Sequence, residues 1–240
     1  MKNVAMKKIE NRKLEIRNVR AFTLIELLLV ISIIGVIAGF TLVVLKPVKA
    51  AQYKKVATAE MTHLETALEN YKAKYGAYPP GNGNAGYTPP VSGSMLNQLY
   101  YELSGTTVNG ANFVTVDGSA SIAVASVATA YGVGGFVNCT KGGAEDGTVA
   151  QNFLPGLNVK EIMSSVTNNG VATTILVTSV GGPDNAYQPL LAPGINPFRY
   201  VYPGVNNPGG YDLWVQLVIN GQTNLICNWS RQVQINSALP

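Results

Sequence analysis

The chain opens polar and basic, becomes uninterruptedly apolar, and then settles into a mixed pattern that holds to its end. Residues 22–45, FTLIELLLVISIIGVIAGFTLVVL, form a run of 24 with a single charge, Glu26. Apolar side chains surround every face of a helix built from this run. At 1.5 Å per residue it extends roughly 36 Å, enough to cross a hydrocarbon core of about 30 Å. From Val48 onward, apolar residues recur at Tyr53, Val56, Met61, Leu64, Leu68, Tyr71 and Tyr75. Their spacing predicts an amphipathic helix that continues from the apolar one and stops at Gly76, with Pro79-Pro80 blocking a restart. Pro47 is expected to end or kink the apolar helix. Gly35 and Gly39, four apart, allow close helix approach or loosen the helix locally.

Residues 76–94 read as a Gly/Pro-rich loop and 94–105 as a short helix. Weak periodicity over 106–150 predicts irregular chain with two short strands and a turn at Asp117-Gly118. A helical turn is expected over 158–167 and a strand over 175–180. Three strands are expected at 198–204, 211–219 and 223–229. Asn220-Gly221 joins the last two as a two-residue hairpin of type I′. The implied organisation is a leader (1–21), a membrane helix (22–45), a membrane-proximal amphipathic helix (46–76) and a globular head (77–240). The fold class is α+β, a long helix packed on an antiparallel sheet.

Charge changes this picture in one respect. The chain carries a net charge of +4 and a pI near 9.0, which alone suggests an acidic partner. Residues 1–21, however, hold Lys2, Lys7, Lys8, Arg12, Lys13, Arg17 and Arg20 against Glu10 and Glu15. The leader is therefore +5 and the remainder −1. No basic stripe exists in the body, so no nucleic-acid partner is expected. Basic residues ahead of an apolar run hold that end in the cytoplasm and send the rest across the membrane. A charged fraction of 12% with 47% hydrophobic residues excludes charge-driven disorder, and two cysteines exclude a disulfide scaffold or a four-cysteine zinc site.

Three readings fit the apolar run. A secretory signal has a shorter apolar region followed by a small-residue cleavage site; Val48-Lys49-Ala50 mimics such a site, but the run is too long. A plain signal anchor leaves Glu26 unexplained. The third rests on Arg20-Ala21-Phe22-Thr23-Leu24-Ile25-Glu26-Leu27-Leu28, which resembles the processing signal of type IV prepilins and type II secretion pseudopilins. The resemblance implies cleavage between Ala21 and Phe22 by a prepilin peptidase, N-methylation of Phe22, and retention of the apolar helix. That family usually has Gly before the cut, where this chain has Ala21. Asn196-Pro197-Phe198-Arg199-Tyr200, Pro203-Gly204 and Tyr211-Asp212-Leu213 resemble the C-terminal signature of major pseudopilins. The calcium-binding loop that follows there is missing here, so no calcium site is inferred from it.

A carboxylate at the end of an apolar helix needs a partner. Cleavage would create an amine four residues before Glu26. In a staggered stack, the amine of an incoming subunit can meet Glu26 of its neighbour and fix register; alternatively Glu26 merely pairs with its own terminus. No chemistry competes with an assembly role. His63 sits on a polar helix face, and no nucleophile, Walker or zinc-protease motif occurs. Gly81-Asn82-Gly83-Asn84-Ala85-Gly86 spells the dinucleotide fingerprint but is flanked by prolines, not by a strand and a helix. Glu145-Asp146 and Asp184 sit in loops, where they are either solvated turn residues or weak calcium ligands. Asn138-Cys139-Thr140 and Asn228-Trp229-Ser230 match glycosylation sequons. Cys139 and Cys227 either form a disulfide or remain two buried thiols. No catalytic residue, metal or cofactor is expected.

The resemblance implies a non-enzymatic filament subunit whose partners are a prepilin peptidase, other pilin-like subunits, an inner-membrane assembly platform with a separate ATPase, and the lipid bilayer. The competing expectation is a monomeric, signal-anchored binding protein.

Overall fold

The N-terminal helix begins where Thr23 meets Glu26 three residues later, the spacing of a reciprocal helix cap. Helix α1 runs over Leu24–Tyr75, and Gly76 follows it. The computed structural model describes residues 22–81, 96–140, 148–155, 162–181, 184, 187–190 and 192–236, with side chains of 41–46 excepted. The leader and most of the 76–94 loop, including the fingerprint-like glycines after Gly81, lie outside the described residues. Pro47 sits inside α1 and does not end it. Its missing N–H removes one backbone hydrogen bond, and the helix remains assigned on both sides. The chain divides into two compact units, Met1–Lys46 and Pro47–Pro240.

In the second unit, α1 buries Ala57, Met61, Leu64, Ala67, Leu68 and Tyr71, a stripe spaced by threes and fours. Ala57, not Val56, occupies the buried position near the stripe's start, and Val56 is half-buried. Lys72 and Lys74 in the last turn complement the negative end of the helix. The stripe packs into the main core with Leu99 and Leu103 of α2 (Leu99–Ser104) and with Leu213, Val215 and Leu217 from the C-terminal sheet.

That sheet is antiparallel. Its strands are β7 (Arg199–Val201), β8 (Asp212–Ile219), β9 (Gln222–Cys227) and β10 (Ser230–Ile235), in the order β10-β9-β8-β7. Alternation along β8 sends Leu213, Val215, Leu217 and Ile219 into the main core. Trp214 clusters separately with Leu225 and Cys227. Both faces of the sheet are thus covered, so β8 reads as a nearly continuous apolar run. Ile219 pairs with Gln222 around Asn220-Gly221, whose φ values of 52° and 75° are those of a type I′ turn. Strand β10, absent from the sequence reading, is the exposed edge of this sheet.

The central region is more regular than its composition suggested. β1 (Thr106–Asn109), β2 (Asn112–Thr115), β3 (Ser121–Ala123) and β4 (Cys139–Thr140) form a second sheet in the order β3-β2-β1-β4, with β4 parallel to β1. A 3-10 turn (Val124–Ser126) leads into α3 (Val127–Tyr131). The helical turn expected over 158–167 is corrected from Met163 onward, where Met163–Asn168 is strand β5, paired with β6 (Val171–Leu176); 158–161 lie outside the described residues. The reason is another Asn-Gly turn, Asn169-Gly170 at φ 48° and 78°, which folds the two strands back on each other. The strand expected over 175–180 is the tail of β6, after which Val177 bridges Pro197.

Candidate processing and assembly site

Thr23 and Glu26 form the start of α1. The Thr23 amide and hydroxyl donate to Glu26 Oε2 at 2.9 and 2.8 Å, and the Glu26 amide donates back to Thr23 Oγ1 at 3.3 Å. The carboxylate thus satisfies groups that a helix leaves open at its first turn, and its charge suits the positive end of the helix. These bonds join Glu26 to Thr23, which is neither of the two expected partners, a neighbour's amine or the chain's own terminus. Both bonds that Thr23 donates end on Oε2. The Thr-x-x-Glu spacing was itself a sequence signal for this cap.

Around that cap, large apolar side chains face outward. Phe22 is 74% exposed, Leu24 76% and Phe40 72%, and Leu27, Ile31, Ile34 and Ile37 each exceed half. A helix start with no apolar interior of its own requires lipid or other helices around it. Among the described residues, no helix is long and apolar enough to cross a membrane. Described side chains stop at Phe40, and the apolar run of the sequence continues to Leu45. Ala21 lies outside the described residues. Gly35 and Gly39 have open space where a Cβ would stand.

In the head, hydrogen bonds fasten the second half of α1. The Thr178 hydroxyl donates to Glu60 Oε2 at 2.7 Å, and the Ser179 amide and hydroxyl also reach Glu60. Tyr200 donates to the Pro79 carbonyl at 2.7 Å. Tyr71 reaches Glu102 Oε2 at 3.0 Å, and the Val137 and Asn138 amides meet the same carboxyl at 2.9 and 3.0 Å. The sequence reading passed over Glu102 because one acidic residue in a short helix looks solvated. Its flanks, Leu99, Tyr100, Tyr101 and Leu103, mark a helix apolar all round, which is the available signal of burial.

The loop after β7 closes on Asp212. Its Oδ2 accepts the Val205 and Asn206 amides at 2.9 and 2.8 Å, and its Oδ1 accepts the Asn207 amide at 3.0 Å. A cleft of about 680 Å³ separates this loop from α1 and includes Glu65, Glu69, Tyr78 and Tyr211 in its walls. Burial, and then the neighbouring Glu69, push the Glu65 carboxyl up. No group of three or more histidine, cysteine or acidic side chains poised for a metal occurs among the described residues. Glu145-Asp146 lie outside them.

The remaining expectations resolve into structural roles. His63 is exposed. Cys139 in β4 and Cys227 in β9 are both buried free thiols. They belong to different sheets and different core clusters. Asn138 is fully buried; its side-chain nitrogen reaches the Glu102 and Gln151 carbonyls at 2.6 and 2.7 Å, which closes that sequon. The Asn228 side chain is likewise occupied, by the Leu213 amide and the Tyr211 carbonyl.

Comparison with known proteins agrees with the outer, apolar half of α1. The family model for the prokaryotic N-terminal methylation motif matches residues 16–42. The chain is similar to fimbrial protein EcpC of Eikenella corrodens, with 29% identity over 154 residues, covering 64% of this chain and 94% of that protein. No solved structure matches significantly. The methylation motif lies on the capped, outward-facing start of α1, and together with a fimbrial relative matched over nearly its full length it supports a likeness to type IV pilin-type structural subunits.

Proposed function

We propose that this protein is processed between Ala21 and Phe22, methylated on the new Phe22 amine, and polymerised through α1 into a type IV pilus-like filament or a secretion pseudopilus. The supporting observation is the outward-facing apolar band from Phe22 to Phe40 with one carboxylate at its start. Residues 1–21 serve as the cleaved cytoplasmic leader, 22–45 as the single membrane pass, 46–76 as the membrane-proximal helix, and 77–240 as the head beyond the inner membrane. Before assembly, lipid covers the apolar band; afterwards, the helices of neighbouring subunits cover it. Neither environment offers water, so the same apolar surface serves in both.

Glu26 is the registration contact. The amine that cleavage creates on an incoming subunit meets the Glu26 carboxylate of its neighbour, where Oε1 is not used by the Thr23 cap. An uneven charge in a featureless apolar surface selects one stagger among many. The partners are a prepilin peptidase, further pilin-like subunits, and an inner-membrane platform driven by a separate ATPase. The subunit itself contributes packing and not catalysis.

N-terminal mass analysis of the membrane fraction tests the reading. A mature chain beginning at methylated Phe22 is expected. A chain that begins at Met1 or Ala51 would mean an uncleaved anchor or a secretory signal, and a monomeric binding protein would take the subunit's place.

A further inference from the structure

Glu102 lies at the meeting point of four segments of the head. Its side chain is fully buried. Oε2 faces the Tyr71 hydroxyl of α1 and the Asn138 amide, and Oε1 faces the Val137 amide. Asn138 extends the cluster: Tyr75 of α1 donates to its Oδ1 at 2.7 Å, and its Nδ2 reaches the Glu102 and Gln151 carbonyls. One carboxyl and one amide thereby tie α1 to α2, to the start of β4 and to the segment after residue 148.

Among the described residues, no cationic side chain is hydrogen-bonded to this carboxyl. The titratable groups that face it are Tyr71 and Tyr75 from α1 and Tyr200 from β7, with Cys139 of β4 beside Tyr75. Burial holds the three tyrosines in their neutral form. A buried carboxylate without a counter-ion is unfavourable, and proteins usually resolve the conflict by keeping the proton. A tyrosine hydroxyl can accept as well as donate, so the contact with Tyr71 is equally made by a carboxyl O–H pointing at the phenol oxygen.

We propose that Glu102 is held as a neutral carboxylic acid that locks α1 to the head, and that loss of its proton in alkaline solution loosens this lock. The inference concerns the head alone and does not depend on polymerisation. Burial pushes the Glu102 carboxyl up, while the Asn138 and Val137 amides and the Tyr71 hydroxyl pull it down; burial prevails. A carboxyl raised on folding binds more protons folded than unfolded. Its stabilising contribution is complete below the ordinary carboxylate value of about 4.3 and is lost as pH rises through the folded value.

The test compares the full mature chain with Glu102→Gln in detergent, following denaturant unfolding by the fluorescence of Trp214 and Trp229. Gln carries no proton to lose, although its amide must face one backbone N–H and so costs stability at every pH. The ratio of folding constants, wild type over variant, is expected to fall by about tenfold per pH unit above roughly pH 4.3 until Glu102 ionises. A ratio that is flat or rises with pH overturns the proposal. If Glu102→Gln does not fold, infrared spectroscopy of the wild type with carbon-13-labelled glutamate decides: a protonated-carboxyl band at neutral pH supports the proposal, and its absence refutes it.

Discussion

The two halves of α1 differ in apolar content and have opposite surroundings. From Leu24 to Phe40 the large side chains point outward on every face. From Ala57 to Tyr71 only one stripe is apolar, and it is buried to within a few per cent. Polar residues make the difference. The second half interleaves Thr58, Thr62, Thr66 and Glu69 with its apolar stripe, and the three threonine hydroxyls bond to carbonyls one turn back. That half needs only one covering surface, which its own head provides. The first half has no such side, so its partner must come from elsewhere. A single helix can thus carry an intramolecular interface and an intermolecular one, distinguished only by where its polar residues fall.

Glu26→Gln is expected to have the largest effect, and on the outer half alone. The variant should insert and be cleaved, because the basic leader and the cut site are unchanged. Filament yield should fall by roughly tenfold or more, because in the proposed contact the neighbour's amine would lose its counter-charge. Normal filaments from the Gln variant would show that the two halves do not differ through this carboxylate. The converse substitution is Leu68→Ala. It should lower head stability by about 2–5 kcal/mol, since a fully buried leucine leaves a cavity behind. Leu28→Ala, at an exposed position, should leave denaturant unfolding of the head within about 0.5 kcal/mol of wild type. Equal losses from both would contradict the division of labour.

The hairpins respond on a smaller scale. Gly221→Ala places a Cβ at φ 75° and should cost about 1–2 kcal/mol of head stability, read as a shift in denaturant midpoint. The result also bears on how much of the fold was legible. The β8–β9 hairpin was readable because its Asn-Gly pair stands between two strongly apolar strands. The same pair at Asn169-Gly170 went unread because β5 is MSSVTN, with no alternation strong enough to separate strand from helix. Strands β1 to β3 are only three or four residues each, shorter than any pattern can define. The outer half of α1 was the most legible part, since an unbroken apolar run predicts a helix with outward-facing apolar side chains and needs no partner to be read. The Glu102 cluster was the least legible. It joins residues from 71 to 151, and nothing local distinguishes a buried glutamate from a solvated one.

Thr23→Ala is the mildest and most selective perturbation of the outer half. The threonine contributes two of the three bonds of the helix start through its hydroxyl, and its amide contributes the other. Alanine keeps the amide bond to Glu26 and loses both hydroxyl bonds. An N-cap lost in this way costs about 1 kcal/mol of helix stability, confined to the first turn. Head stability should not change, because no residue of the buried stripe is near that turn in sequence. Glu26 keeps its charge but loses part of what orients it, so assembly should weaken less than in Glu26→Gln while cleavage continues. Filament yield measured for both variants ranks the charge against its orientation. A Thr23→Ala loss as large as that of Glu26→Gln would mean that the neighbour's amine depends on the position of the carboxylate as strongly as on its charge.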